Sequence, residues 1–176
     1  MTQERPAPAA RAHPAPAEAQ AALTEKGKAL SALLHEALAE FKPAMSAALD
    51  EVVLTVDRAN LVKAATKLRD DPRLAFDYLM CLSVVDYEDR FEVVYHLRSL
   101  AKPARFTLKV SLPYDDPIVP SVMGVWPGAD WYEREGHDLF GVNFEGHPNL
   151  APLLLYEGFE GYPGRKSYPI NDYQEW

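Results

Sequence analysis

The chain has almost no cysteine, no long apolar run and no glycine-rich nucleotide loop, and each absence excludes a class of protein. The single cysteine among its 176 residues, Cys81, can form no intramolecular disulfide and cannot supply the four thiolates that an iron–sulfur cluster usually takes. No stretch reaches the ~18 consecutive apolar residues of a membrane span. Neither G-x-G-x-x-G nor a Walker loop occurs, so the sequence indicates neither dinucleotide nor triphosphate binding.

Basic residues are also scarce, which argues against nucleic acid as a partner. The chain carries 18 Lys and Arg against 26 Asp and Glu, a formal net charge of −8. Phosphate binding needs clustered cations, and the one local basic cluster, Arg165-Lys166, is too small. The N-terminus lacks the apolar core of a signal peptide. If the protein works at a membrane, we expect other chains to hold it there.

The hydropathy pattern predicts an α+β fold. Residues 1–22, rich in Ala and Pro, are typical of a disordered arm. Residues 23–142 form the predicted globular domain, in which helices pack as one layer on a mixed or antiparallel sheet, and residues 143–176 form a long irregular C-terminal tail. The predicted elements are a helix over 28–41, a strand over 51–56, a helix over 61–68 with Asp57 as N-cap, a hairpin of strands 79–85 and 91–97, and a strand over 106–112.

A further helix begins at Trp131, and its polar residues suggest a role beyond packing. At 100° per residue, Trp131, Tyr132, Leu139 and Phe140 share a broad apolar face, with Glu135 projecting from its middle. Glu133 and His137 fall on the opposite side, which predicts an exposed hydrogen-bonded pair, and Arg134 and Asp138 are spaced to pair with each other. A carboxylate among aromatic rings needs a cation or N–H donors. We therefore expect Glu135 to find a partner, either in another chain or at Arg98 or Arg105.

Two kinds of catalytic chemistry could use the residues of this helix. A zinc site could use Glu133, His137 and His147, but no second strong ligand pair accompanies them, so no metal is expected. A free-standing acid–base enzyme would use Glu133, Glu135, His137 and Asp138, and would require a closed pocket around them. His147, between Gly146 and Pro148, is most simply a hydrogen-bonding anchor of its loop.

The C-terminal tail, residues 143–176, contains more aromatic side chains than a loop in water would expose. Long ordered loops rich in Gly and Pro are usually functional or docked. We therefore expect the tail to lie across a partner. Its aromatic residues are Phe144, Tyr156, Phe159, Tyr162, Tyr168, Tyr173 and Trp176.

The order of the short motifs also points to a family. WYEREGHDLFGV, FEGHP and GFEGYPGRKSYP closely resemble the signature of the C subunit (30 kDa type) of proton-pumping NADH:quinone oxidoreductase, respiratory complex I. The resemblance extends upstream to about Leu79, and more loosely to about Glu51. Its signature and interface positions in this chain are Glu133, Arg134, Glu135, Asp138, Phe140, Gly141, Gly146, His147, Pro148, Arg165, Lys166 and Pro169.

The resemblance implies a structural subunit of the peripheral arm. It implies no catalytic residue and no cofactor in this chain, with FMN and the iron–sulfur centres held by partner subunits. The expected partners are the quinone-site (D) subunit and the subunit (B) that holds the terminal iron–sulfur cluster. The expected location is peripheral, on the cytoplasmic side of the bacterial inner membrane.

The sequence departs from the family pattern at three places. Gly136-His137 stands where a large residue and an aromatic are usual, Ala151-Pro152 where two arginines are usual, and residues 161–167 differ in the last motif. These departures leave open an alternative, the equivalent subunit of a membrane-bound nickel–iron hydrogenase complex.

Overall fold

The computed structural model of the chain describes residues 23–169. The predicted arm, residues 1–22, and the aromatic residues Tyr173 and Trp176 lie outside the described residues. Three helices are present in this part: α1 (Glu25–Ala37), α2 (Leu61–Asp70) and α3 (Ala129–Phe140). The strands are β1 (Ala44–Ala48), β2 (Glu51–Thr55), β3 (Tyr78–Asp86), β4 (Arg90–Arg98), β5 (Arg105–Pro113), β6 (Ile118–Pro120) and β7 (Asn143–Glu145).

The strands form one large sheet and one small one. The five-stranded sheet has the order β1-β2-β5-β4-β3, with β2 and β5 parallel and the other neighbours antiparallel, and β6 and β7 pair as a parallel two-stranded sheet. The predicted α+β class with a mixed sheet is confirmed. The hairpin is also confirmed, because β3 and β4 pair antiparallel across the turn after Asp86.

The core lies on one face of the large sheet. There α1, its C-cap residue Leu38 and α2 contribute Leu34, Leu38, Leu61 and Leu68, which pack with Phe106 and the other inward side chains of the strands. The opposite face carries Glu51, Glu92, His96, Thr107 and Lys109, the polar half of each alternating strand. This division gives the two layers that the sequence predicts.

The boundaries of two predicted helices shift because of their caps. Helix α1 begins at Glu25, three residues earlier than predicted, because the Thr24 side chain accepts from the Gly27 N–H at 3.3 Å. It ends at Ala37 and continues as a short 3-10 helix, Ala39–Phe41. Asp57 does cap a helical turn, accepting from the Ala59 N–H at 2.8 Å, but that turn is a 3-10 helix, Arg58–Asn60, directly before α2.

Strand β1 is not predicted by the sequence pattern. Its residues, Ala44–Ala48, have little apolar alternation, and it joins β2 through Leu49 and Asp50, which both have positive φ angles (48° and 65°). Such angles suit a two-residue hairpin turn, but Leu-Asp is not one of the residue pairs that usually mark it.

Among residues 23–169, no helix combines the length and apolar character needed to cross a bilayer.

Candidate functional site

Helix α3 is rotated relative to the predicted orientation. The buried acid is Glu133, with 0% of its surface exposed, whereas Glu135 is exposed and Trp131 is 65% exposed. Glu135 does lie beside Tyr132 and Phe140, as the helical spacing predicts, but this stripe of the helix lines a surface groove and the Glu135 side chain is exposed. The face toward the core carries Ala129, Glu133 and Gly136, and two of these have almost no side chain. Small residues allow the helix to approach the sheet closely. Because Ala and Gly have little apolar surface, a prediction based on large apolar side chains does not identify the face that carries them.

Gly136 shows how close this approach is. A Cβ atom at this position would lie 2.9 Å from the Val84 Cγ2 and 3.2 Å from the Phe144 ring. Val84 lies on β3 and Phe144 on β7, so α3 packs against both sheets here. Phe144 is 1% exposed and packs within its own domain, so it is not one of the aromatic side chains that could lie across a partner, as the sequence predicts for the tail. The departure from the family pattern at Gly136 therefore coincides with a tight helix–strand contact.

Glu133 connects α3 to the loop that follows β6. The Ser121 hydroxyl donates to Glu133 Oε2 at 2.5 Å, and the Val122 N–H donates to Oε1 at 2.8 Å. Burial raises the pKa of Glu133 to about 7, although the two hydrogen bonds lower it, and the nearby Asp130 charge adds to the rise. Glu133 does not pair with His137, whose Nδ1 lies 2.9 Å from the Val142 carbonyl. The predicted exposed Glu133–His137 pair is therefore wrong.

The surroundings of Glu133 contain a second buried ionisable group, Tyr95. Burial raises the pKa of the Tyr95 phenol well above its ordinary value, and the Glu133 charge raises it further. Within the described part of the chain, the Tyr95 hydroxyl has no hydrogen-bond partner. The sequence does not single out Ser121, Tyr95 or Asp130, because none of them belongs to a recognisable motif.

His147 anchors the loop after β7. Its side chain is fully buried, and its Nδ1 accepts from the Asn149 N–H at 3.1 Å, so the ring proton lies on Nε2. Nε2 is 3.2 Å from the Asp130 Oδ1, but the geometry is too poor for a hydrogen bond. Gly146 precedes it with a φ angle of 84°, which only glycine adopts readily, and Pro148 follows on the surface.

Arg134 and Asp138 bind the tail and not each other. Arg134 Nε donates to the Ala151 carbonyl at 3.0 Å, and a second guanidinium nitrogen donates to the Pro152 carbonyl at 3.0 Å. Asp138 Oδ2 accepts from three consecutive backbone N–H groups, at 3.1, 2.8 and 2.9 Å, belonging to Leu153, Leu154 and Leu155. The predicted Arg134–Asp138 pair is wrong, since both side chains hold residues 151–155 against α3.

The pKa of Asp138 reflects this arrangement. Burial would raise the pKa of the carboxyl, but the three backbone hydrogen bonds together outweigh burial, and the nearby His137 lowers the pKa further, so that the net shift is downward. Asp138 is 8% exposed, so the charge is shielded from water. A buried carboxylate with three N–H donors is a structural anchor.

The second half of the tail is held by Arg165. Its guanidinium carbon lies 5.1, 5.5 and 4.6 Å from the ring centroids of Phe91, Tyr114 and Tyr162, and its Nε donates to the Phe140 carbonyl at 2.7 Å. These distances are typical of cation–π contacts. Arg165 thus joins β4, the β5–β6 loop and the end of α3.

Gly141, Gly164 and Lys166 also help to hold the second half of the tail against the domain. Gly141 ends α3 with a φ angle of 71°, and a Cβ atom there would lie 2.6 Å from the Tyr162 ring. The Gly164 N–H donates to the Leu139 carbonyl at 2.9 Å. The Lys166 N–H donates to Asp86 Oδ2 at 2.9 Å, and Pro169 closes the described part of the tail at the surface.

The residues of the two catalytic alternatives do not converge. Glu133 faces Ser121, Glu135 lies in a surface groove beside β3, and His137 and Asp138 line a small pocket under the tail. His147 contacts Asp130. Among residues 23–169, no group of three or more His, Cys, Asp and Glu side chains is placed to hold a metal ion.

Taken together, the fold and these contacts define a small α+β domain in which several charged signature side chains bind other segments of the same chain. The chain belongs to the family of the respiratory-chain NADH dehydrogenase 30 Kd subunit, which it matches over residues 54–174. The resemblance shown by the motifs is confirmed.

Three known proteins illustrate the relationship. The chain is 41% identical over 163 residues to the C subunit of NADH-quinone oxidoreductase from Burkholderia multivorans, covering 87% of this chain and 82% of that one. It resembles the solved structure of the trypsin-resistant fragment (1-134) of Nqo5 with a TM-score of 0.57 and 31% identity, over 68% of this chain and 98% of that one. It also resembles a chain of the membrane-bound sulfane sulfur reductase, an archaeal respiratory membrane complex, with a TM-score of 0.71 and 25% identity, over 83% and 87% of the two chains.

Proposed function

We propose that the chain is a non-catalytic structural subunit in the peripheral arm of an NADH:quinone oxidoreductase, complex I. That enzyme transfers electrons from NADH through FMN and iron–sulfur centres to quinone and couples the transfer to proton translocation. Membership of the 30 Kd subunit family and the 41% identity to the C subunit of such an enzyme support the assembly. The chain's part in it is architectural.

The non-catalytic role is supported by what the signature side chains contact. Arg134, Asp138 and Arg165 bind backbone groups of the chain itself, and the Glu133 carboxyl is closed off from solvent. A catalytic acid or base must reach a substrate within hydrogen-bond distance. These groups are occupied in holding the tail and the loop after β6.

The proposed partners are the quinone-site (D) subunit and the subunit (B) with the terminal iron–sulfur cluster. These two identities follow from the family, and support for a partner-facing surface comes from exposed apolar side chains on the tail: Leu154 is 61% exposed, Tyr156 71% and Tyr162 40%. Tyr156 and Tyr162 line the same small pocket, and apolar side chains grouped on a surface usually mark an interaction site. We propose that FMN and the clusters are bound by partner subunits and that the chain lies on the cytoplasmic side of the bacterial inner membrane.

The proposed organisation assigns a role to each region. Residues 1–22 form an arm, residues 23–142 the globular domain and residues 143–176 the docking tail. The tail contacts its own domain through Arg134, Asp138 and Arg165, and these contacts orient it while its exposed residues remain available. Signature positions such as Phe140, Gly141 and Gly146 then act indirectly, by setting the path of the tail.

A second candidate is the equivalent subunit of a related respiratory membrane complex, such as a membrane-bound hydrogenase. The observation that favours it is the likeness to a chain of the archaeal sulfane sulfur reductase complex, with a TM-score of 0.71. The two candidates differ in the electron-input subunits that accompany the chain.

Mild-detergent purification through a tag on the N-terminal arm tests the proposal. We expect the D-type and B-type subunits to co-purify together with an FMN-binding NADH dehydrogenase subunit. Co-purification of a nickel–iron hydrogenase subunit would favour the second candidate. Recovery of the chain alone, under conditions in which NADH:quinone oxidoreductase activity survives in the membrane fraction, would refute both.

A further inference from the structure

A groove runs along the outer edge of β3, the last strand of the five-stranded sheet. Within the described residues β3 pairs only with β4, so its other edge is free of a strand neighbour. Four consecutive residues, Cys81, Leu82, Ser83 and Val84, line the groove. Side chains alternate between the faces of a strand, so four consecutive residues can share one groove only along the strand edge.

Helix α3 forms the other wall. It contributes Tyr132, Glu135, Gly136 and Phe140, which follow each other by three, one and four residues and so form one stripe. The Tyr132 hydroxyl donates to the Met80 carbonyl at 3.2 Å, just beyond the groove. The Met80 carbonyl on this strand edge thus accepts a hydrogen bond from a side chain of α3 and not from a neighbouring strand.

The strand edge and the apolar side chains beside it favour a peptide as the occupant of the groove. Tyr78 and Met80 precede the groove on the same strand and are 48% and 38% exposed. An exposed strand edge with apolar side chains is a template for another strand.

Glu135 gives the groove a charge. It is exposed, and it makes no hydrogen bond or ion pair with any residue in the described range. A carboxylate beside a row of backbone groups favours a cationic side chain in the occupant.

From these observations we propose that the groove between β3 and α3 binds an extended segment of a neighbouring subunit, with a Lys or Arg of that segment paired to Glu135. The segment would add to the β3 edge through backbone hydrogen bonds. The proposal rests on the proposed function, since it requires other subunits around the chain.

Cys81 makes the proposal measurable, because it lines the groove and is the chain's only cysteine. The rate of maleimide labelling is compared between the free full-length chain and the purified complex. We expect Cys81 to react in the free chain and to lose its labelling in the complex. As a control for general protection, Leu100→Cys in a Cys81→Ser chain places the thiol at a 68% exposed position in the β4–β5 loop, where labelling should persist.

Charge variants supply the second readout. Glu135→Lys should lower the yield of assembled complex roughly tenfold relative to the native chain, and Glu135→Gln should lower it less. The matched control is Asp115→Lys, at another exposed acid without a described partner, in the loop before β6. Circular dichroism of each free variant separates loss of binding from loss of folding.

The outcomes distinguish this proposal from the proposed function. Co-purifying subunits with a fully reactive Cys81, or with no effect of Glu135→Lys, would overturn the groove assignment and leave the proposed function standing. Absence of co-purifying subunits would overturn both. Protection of Cys81 in the isolated chain at high concentration would identify a second copy as the occupant, and that result also contradicts the proposal.

Discussion

The Glu133 carboxyl has no contact with water, and its protonation depends on a balance between burial and two hydrogen bonds. Burial favours the neutral acid, whereas the Ser121 hydroxyl and the Val122 N–H favour the charged form. Burial has the larger effect, so the pKa of Glu133 rises from its ordinary value of 4.5 to about 7. In the unfolded chain the same carboxyl returns to its ordinary pKa.

This difference predicts a pH dependence of stability. Between pH 4.5 and about 7 the folded chain holds a proton on Glu133 that the unfolded chain has lost, so the stabilisation is present at low pH and disappears as pH rises through this window. A rise of this size corresponds to roughly 3 kcal/mol at most. Glu133→Gln should remove the dependence, because an amide does not titrate in this range. The fold should survive, since the amide can still accept from the Val122 N–H and donate to Ser121.

The measurement is urea unfolding of both chains from pH 4.5 to 8. The difference in unfolding free energy between native chain and variant should shift steadily across the window, with the variant gaining relative stability toward pH 8. A constant difference at all pH values would show that the carboxyl is already ionised in the folded state. Glu133→Ala is a useful companion, since it orphans the Val122 N–H and should cost about 1–3 kcal/mol.

At Asp138 the balance has the opposite sign. Its pKa is lowered, so the stability it contributes is present above its ordinary pKa of 3.8 and is lost as pH falls below that value. We predict that Asp138→Asn loosens residues 153–155, because hydrogen bonds to a charged acceptor are about twice as strong as neutral ones. Amide hydrogen exchange at Leu153, Leu154 and Leu155 should accelerate at pH 7, while the amides of β4 stay protected. Unchanged exchange would mean that other contacts hold this segment.

At the scale of elements, the sequence predicts the strands better than it predicts which side of α3 packs against the core. Strands β4 and β5 carry apolar alternations, which a core on one face demands, and β3 is a nearly continuous apolar run. The facing of α3 depends on Ala129 and Gly136, whose small size matters only once Val84 and Phe144 are in place. The donors to Glu133 and Asp138 lie on loops 11 to 17 residues away along the chain, and no local sequence pattern reveals these contacts.

Close packing of α3 predicts that a single methyl group added at Gly136 destabilises the fold. Gly136→Ala would place a Cβ 2.9 Å from Val84 Cγ2, so the Val84 side chain, the helix or the strand must shift. Overpacking of this kind typically costs about 1–3 kcal/mol, which exceeds the ~1 kcal/mol that alanine gains over glycine in helix propensity. The control is Gly128→Ala, just before α3, where a Cβ would meet nothing within 4 Å.

Thermal unfolding of the two alanine variants tests the prediction. The Gly136→Ala chain should unfold at a lower temperature than the native chain, and the Gly128→Ala chain should differ by about 0.5 kcal/mol or less. Equal or greater stability of the Gly136→Ala chain would show that α3 can move away from β3 at little cost.

At the scale of the whole molecule, the tail is tied to the domain but leaves apolar groups in water. The order of its motifs predicts the family, and the family comparison confirms it. The sequence could not predict the tail's path, because that path depends on single contacts such as those of Arg165 with three rings. Docking onto a partner remains a prediction. Leu154 is the best position at which to test it, because its side chain is 61% exposed while its backbone N–H is held by Asp138.

We predict that Leu154→Ser leaves folding intact and weakens assembly. The side chain is mostly in water, so the unfolding free energy of the free chain should change by about 0.5 kcal/mol or less. If a partner covers the exposed part of this leucine, its loss costs about 1–2 kcal/mol of binding, a roughly tenfold decrease in affinity. Leu100→Ser is the matched control, since Leu100 is 68% exposed in the loop between β4 and β5, outside the tail. Titration of each variant into a complex depleted of this subunit gives the affinities, and equal affinity for the two serine variants would place the partner surface away from residue 154.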